Sequence, residues 1–183
     1  MRIPFRSADA IFRAADEYPY GDTEREEWLI ANIPRALGRG HLLKSELIEV
    51  ARWKWRGGRT RQLCDRNTEQ EVKEVSAFAF SARTEKARYR ALLALDGVGE
   101  PMASVILHFA YRDHYPILDV RAMNAVGGST SWTFEHWLEY TTICQKAARR
   151  FGVSMRVLDR ALWVLGKPTS SSHGNRWQER SKS

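Results

Sequence analysis

Cysteines, metal-ligand patterns and long apolar runs are scarce in this sequence, and each scarcity excludes a class of protein. Two cysteines, Cys64 and Cys144, occur in 183 residues, and their number and separation fit neither a metal finger nor a disulfide framework. The five histidines form no HxH or HExxH pattern, so no metal site is expected. No apolar stretch approaches the roughly 20 residues of a membrane span, and no signal peptide is evident. We expect a cytoplasmic protein with reduced thiols and no membrane partner.

Positive charge is what the sequence has in excess. The 29 Lys and Arg residues outnumber the 22 Asp and Glu residues, which gives a net charge of +7 and a pI near 9.7. Such a balance favours a polyanionic partner, with nucleic acid first among the candidates. The length and the 43% hydrophobic content suit one core. We predict a single domain over residues 1–166 and a polar, disordered tail over 167–183.

Helical periodicity runs through almost the whole chain, which predicts an all-α fold, a compact helical bundle of about nine segments. Capping residues mark most of the helix starts. Leu47, Ile48, Ala51 and Trp55 fall on one stripe of the helix that follows Ser45. The predicted caps are Ser7, Thr23 with Glu26, Ser45, Thr68 with Glu71, Thr84 and Ser154.

The stretch LDGVGEPMASVILHFAYRDHYPILDV, residues 95–120, contains a glycine-rich turn between two helical segments. Gly97 and Gly99 permit backbone torsions that other residues resist, and they let the chain approach a ligand without a Cβ. Val98 fixes the turn in the core, and backbone N–H groups at the next helix start bind a phosphate oxygen without reading sequence. This is the pattern of a helix-hairpin-helix, here over residues 86–111. The matching positions are Leu92, Leu95, Gly97, Val98, Gly99, Ala103, Ile106 and Leu107.

A hairpin of this kind, followed about twenty residues later by YPILDVRAM, resembles the helix-hairpin-helix DNA glycosylase superfamily. The resemblance covers residues 85–126 and implies that family's helical fold, with a cleft for a nucleotide flipped out of double-stranded DNA. By position, Asp119 matches the catalytic aspartate, and Gly97, Val98 and Gly99 match the phosphate-binding hairpin. The hairpin backbone is also a possible site for a monovalent cation.

The chemistry explains why a carboxylate is required at Asp119. Cleavage of the base-to-sugar bond builds positive charge on the deoxyribose, and a nearby carboxylate stabilises that state and orients or deprotonates water. Asp119 also suits the N-cap of the helix that follows, a role compatible with catalysis.

Pro101 stands where bifunctional members of the superfamily carry a Schiff-base lysine. The resemblance therefore implies a monofunctional enzyme that leaves an abasic site without cutting the strand. Lys54 and Lys86 are the lysines that remain as substitutes from other segments, although surface lysines are usually only solvated. Two separated cysteines cannot hold the iron–sulfur cluster of the endonuclease III branch. We expect a monomer with no other cofactor.

Residues 52–66 are the most basic stretch and supply the remaining site candidates. Trp53 and Trp55 are candidates to stack on an extruded base or to wedge the duplex, with Trp55 in the core as the alternative. A second basic group, Arg83, Lys86, Arg88 and Arg90, extends the footprint, whereas Arg149, Arg150, Arg156 and Arg160 read as ordinary helix-face charge. The phosphate-binding candidates are Arg52, Lys54, Arg56, Arg59 and Arg61.

Two further functions stay open beside the glycosylase. One is a DNA-binding protein without catalysis, which Glu100 favours because a carboxylate beside the hairpin repels phosphate. The other is a helical protein–protein module, which predicts no salt-sensitive DNA affinity. The excised base is equally open: uracil-like, alkylated, oxidised and phage-modified bases remain, so the biological role is either DNA repair or defence against phage.

Overall fold

Ten α-helices form the computed structural model of this chain, which describes residues 1–19, 23–55, 57–129 and 132–167. No strand occurs in these ranges, so the all-α prediction is confirmed. Apart from Lys167, the predicted tail lies outside them. The helices are α1 (Ala8–Asp16), α2 (Thr23–Arg39), α3 (Lys44–Lys54), α4 (Arg59–Cys64), α5 (Glu69–Ser81), α6 (Glu85–Leu92), α7 (Glu100–Ala110), α8 (Val120–Ala125), α9 (Phe134–Phe151) and α10 (Met155–Leu165).

Most of the predicted caps are present as hydrogen bonds. The side chains of Ser7, Thr84 and Ser154 each accept a bond from the third residue along. Thr68 and Glu71 form the reciprocal capping box at the start of α5. Because each cap satisfies a backbone N–H that the helix leaves without a partner, these polar residues fix where the helices begin.

Three local predictions are wrong. Ser45 is not a cap, because α3 begins at Lys44 and the Glu46 carboxylate accepts from the backbone N–H of Leu43, 2.8 Å away. Thr23 is the first residue of α2 rather than its cap, and Glu26 is buried in an ion cluster described below. The third is the omission of the short basic helix α4 from the predicted segments.

Helix α7 is the centre of the core. All residues from Met102 to Ala110 are buried, and α7 packs against α2, α3 and α6. Helices α1 and α8 pack on α10, while α9 lies against α6 and α10. The hairpin helix therefore runs through the interior, which fixes its two ends relative to the rest of the molecule.

Candidate active site and nucleic-acid interface

The predicted hairpin is formed by α6, residues 93–99 and α7. Gly97 has φ +78°, the left-handed region that favours glycine, while Gly99 is the extended N-cap of α7. Val98 is buried, and its N–H donates to the carbonyl of Leu95 at 3.0 Å. Pro101 lies in the first turn of α7, where its missing N–H costs no helical bond. This geometry suits a phosphate-binding turn, although Glu100 contributes a carboxylate to the same turn.

Helix α4 is packed directly against the hairpin. A Cβ on Gly97 would lie 2.7 Å from the backbone nitrogen of Cys64, the last residue of α4. The buried Asn67 side chain adds a polar connection: its amide donates to the carbonyls of Cys64 and Asp96, and it accepts from the Asp96 N–H at 2.9 Å. The basic segment and the hairpin therefore form one continuous surface.

Two side chains of α7 hold the segment that leads to Asp119. The Ser104 hydroxyl accepts from the backbone N–H of Leu118 at 2.8 Å, and His108 Nδ1 lies 2.7 Å from the carbonyl oxygen of Tyr115, to which it donates. Burial lowers the pKa of His108 to about 4. The imidazole is therefore neutral at physiological pH, and it positions the chain without adding charge.

Asp119 caps α8 and contacts a lysine from a different helix. Its Oδ1 accepts from the backbone N–H of Arg121 at 2.9 Å, which confirms the predicted N-cap. Its Oδ2 lies 3.2 Å from Nζ of Lys54, whose side chain is 8% exposed. Lys54, predicted as a phosphate contact, therefore sits beside the carboxylate. Both contacts stabilise the negative charge of Asp119.

A cleft of about 870 Å³ opens above the Asp119 carboxylate. Its described walls come from the ends of α1 and α3, from α2, α4 and α10, and from the segment before α8. The charged side chains in these walls are five cations and three acids: Arg25, Arg52, Lys54, Arg61 and Arg156, with Glu26, Asp119 and Asp159. The cleft therefore has an excess of positive charge.

Trp53 and Trp55 both line this cleft, but in different ways. Trp53 is half-buried and packs edge-on against Phe109, with ring centroids 5.0 Å apart. Trp55 is 44% exposed, because α3 ends at Lys54 and Trp55 adopts extended torsions. The alternative in which Trp55 packs in the core is therefore wrong. Its position leaves it available for contact with a base.

The predicted phosphate contacts are divided among several environments. Arg59 and Arg61 are exposed on α4. Arg52 is exposed at the cleft wall and forms an ion pair with Glu49. Arg56 lies outside the described residues. In the second basic group, Arg88 is tied to the Glu85 carboxylate and to the carbonyl of Ala82, so it has a structural role.

The cleft contains a buried ion cluster that the sequence did not predict. Arg156 was predicted to be surface charge, yet it donates two hydrogen bonds to Glu26 at 2.8 Å and one to Asp159 at 2.5 Å. Arg160 also pairs with Glu26, at 2.7 Å, so it too is misassigned as ordinary helix-face charge. A signal was present: Asp159 stands on the same helical stripe as the buried Met155 and Leu158.

The two carboxyl groups of this cluster have pKa values that are shifted in opposite directions. Burial raises the pKa of Asp159 to about 6, although the charge of Arg156 opposes the shift. For Glu26, burial acts in the same direction, but Arg156 and Arg160 outweigh it and the pKa falls below its usual value. Two carboxyl groups in one cluster thus differ in proton affinity because they differ in the number of guanidinium partners.

Comparison of the chain with known protein families, with characterised proteins and with solved structures found no match. Among the helices of the described ranges, none is long and apolar enough to cross a membrane. The same ranges hold no group of three or more acidic, histidine or cysteine side chains placed to hold a metal ion.

Proposed function

We propose that this protein is a DNA N-glycosylase that hydrolyses the bond between a flipped-out base and its deoxyribose. The observation that carries the proposal is the position of Asp119: a carboxylate paired with Lys54 at 3.2 Å, in the lining of a large cationic cleft. The hairpin and α4 form a continuous surface beside it. Double-stranded DNA is the partner that such a surface fits.

Each region has a separate task in this mechanism. The hairpin backbone and the exposed Arg59 and Arg61 bind phosphates, which requires no sequence information. The cleft receives the extruded nucleotide, against which Trp55 can stack. As the bond at C1′ breaks, positive charge develops on the sugar, and the Asp119 carboxylate stabilises it and accepts a proton from the attacking water.

The hairpin supplies no amine for a covalent route, because Pro101 occupies the position where a nucleophilic lysine would stand. Lys54, the substitute amine that the sequence leaves open, is paired with the Asp119 carboxylate, and in this mechanism it stabilises that charge. Base release by this route is hydrolytic, and its product is an intact strand with an abasic site. Aldehydic abasic sites, counted before any alkali treatment, are the direct readout of this reaction.

The test compares the unmutated protein with Asp119→Asn on duplexes that carry deaminated, oxidised, alkylated or phage-modified bases. Asparagine keeps the N-cap hydrogen bond and removes the charge. We expect base release to fall by about 100- to 1,000-fold, the effect of losing one transition-state electrostatic contact. Asp113→Asn is the matched control, because Asp113 caps α10 through the Met155 N–H and does not line the cleft.

A DNA-binding protein without catalysis would give a different pattern. It would bind duplex DNA with strong salt dependence and release no base from any substrate in the set. Base release that is equal in the unmutated protein and in Asp119→Asn would contradict the assigned role of Asp119.

A further inference from the structure

The cleft contains a second carboxyl group that the proposed mechanism has not used. Asp159 lies on α10, is 5% exposed and lines the same cleft as Asp119. Arg156 Nη1 donates to its Oδ2 at 2.5 Å, while its Oδ1 accepts no hydrogen bond from the described part of the chain. One oxygen is therefore fixed in position, and the other is available to carry a proton.

The two carboxyl groups lie in different surroundings. Asp119 is partly exposed and contacts an ammonium group and a backbone N–H, which stabilise its charge. Asp159 is largely buried, and its pKa of about 6 is raised first by burial and further by the charge of Asp119. Two carboxyl groups of one site that lie in such different surroundings commonly divide the roles of base and acid.

Charged and titratable groups from several elements act on Asp159. Arg156 and Lys54 favour its ionised form, whereas Asp119 favours the protonated form. Glu26 on α2 takes up two further donors of Arg156, which limits how much of that positive charge Asp159 receives. On α9, Tyr140 and Cys144 also interact with Asp159, and burial raises the pKa of both, so they stay neutral.

The aromatic rings of the cleft lie close to the protein's own cations. Arg156 lies 5.1 Å from the centre of the Trp53 ring, and Arg121 lies 4.0 Å from that of Trp163. The ammonium of Lys54 lies 5.7 Å from the Trp55 ring. A positively charged base that stacks on these rings would be repelled by these cations and by the excess positive charge of the cleft. A neutral base is not repelled in this way.

We propose that the substrate is a neutral base, rather than a cationic alkylated one, and that Asp159 donates the proton with which it leaves. This inference rests on the proposed glycosylase function and specifies its substrate class. As the C1′–N bond breaks, its electron pair stays on the base nitrogen, which takes the proton from Asp159. Water forms the new C1′–O bond and gives a proton to Asp119. Exchange with solvent then restores both carboxyl groups.

The experiment measures single-turnover base release between pH 5 and pH 8. The neutral probes are duplexes with uracil, hypoxanthine, 8-oxoguanine or 5-hydroxymethylcytosine, and the cationic probe contains 7-methylguanine. For the unmutated protein we expect release of at least one neutral base, with a rate that falls about tenfold per pH unit above the pKa of Asp159. Release of 7-methylguanine should be at least tenfold slower than release of the best neutral base.

Asp159→Asn keeps the size of the side chain and an acceptor for Arg156, and it removes the proton. We expect about 100-fold slower release of the neutral base and loss of the pH dependence. Any residual release of 7-methylguanine should be unchanged, because that base needs no proton to leave. Salt-dependent affinity for duplex DNA and the thermal transition show whether the variant retains the fold.

Preferred release of 7-methylguanine by the unmutated protein would overturn the inference without any variant, while the glycosylase proposal would stand. A folded Asp159→Asn with the rate and pH profile of the unmutated protein would do the same. Release of no base from any duplex would overturn the proposed function itself, and the inference with it.

Discussion

The hairpin and the cleft lie side by side, yet they are built from different interactions. The hairpin is held by backbone geometry, by the buried Val98 and by the neutral amide of Asn67. The cleft is held by charged side chains, among them the Lys54–Asp119 pair and the buried cluster around Arg156. We therefore expect the hairpin to be sensitive to added volume at Gly97 and the cleft to be sensitive to the loss of a charge.

This difference between the hairpin and the cleft shows how much of the chain each function requires. A phosphate-binding turn needs only local torsions and N–H groups, so a short segment specifies it. A catalytic cleft needs charges to be held at fixed positions away from water. A buried charge costs several kcal/mol unless its partners are complete, so α2, α3, α10 and the segment before α8 must all be in place before the cleft exists.

Removal of Arg156 should give the largest effect on stability. Arg156→Met leaves Glu26 and Asp159 buried without their shared partner, and we expect the free energy of unfolding to fall by about 4 kcal/mol. Urea denaturation monitored by circular dichroism measures it. Arg150→Met, on an exposed turn of α9, is the matched control and should change stability by less than about 0.5 kcal/mol. Similar values for the two variants would mean that the cluster does not hold the cleft together.

A methyl group added at Gly97 should destabilise the protein far more than one added at Gly99. In Gly97→Ala the new Cβ meets the Cys64 backbone at 2.7 Å in a left-handed conformation, so we expect a loss of about 3 kcal/mol. In Gly99→Ala the new Cβ would lie 3.9 Å from Pro101 Cδ, an ordinary van der Waals distance, so stability should change by less than about 1 kcal/mol. Thermal unfolding compares the two. Any cost of Gly99→Ala should appear in DNA affinity instead, and equal destabilisation would contradict this division.

Acid should lower the free energy of unfolding through His108, which connects α7 of the hairpin to the segment that leads to Asp119. Its pKa is near 4 in the folded protein and 6.5 in an unperturbed histidine, so the unfolded chain takes up a proton first as the pH falls. Stability contributed by the neutral imidazole is present above pH 6.5 and is lost as the pH falls towards 4. At pH 5 the loss should be about 2 kcal/mol.

Asp159 acts in the opposite direction, because its raised pKa makes the folded protein bind a proton first between about pH 6 and pH 4. The contribution of His108 is therefore the difference between the stability profiles of the unmutated protein and of His108→Gln. We expect the variant to lose less stability between pH 7.5 and pH 5. If stability falls equally with pH in the two proteins, protonation of His108 does not change the free energy of unfolding, and the prediction is wrong.

The same contrast explains what the sequence could predict. The all-α fold, the caps at Ser7, Thr68 and Asp119, and the hairpin all depend on residues within a few positions of one another, so spacing alone locates them. The ion cluster joins Glu26 to Arg156 across 130 positions, and no local pattern indicates that pair. Arg156 and Arg160 look like surface charge in the sequence because their burial is decided by α2.

The smallest predicted effect concerns the link between the hairpin and α4. Asn67→Ala removes a side chain that bonds the Asp96 N–H and two carbonyls, and we expect a loss of about 1.5 kcal/mol. Asn32→Ala, which removes two exposed hydrogen bonds, one to the Trp28 carbonyl and one from Arg35, should cost less than about 0.5 kcal/mol. Amide hydrogen exchange should accelerate at Asp96 and Val98 in the first variant while α10 keeps its protection. Accelerated exchange in α10 as well would show that the hairpin and the cleft unfold as one unit, and the comparison between them would then hold for chemistry but not for stability.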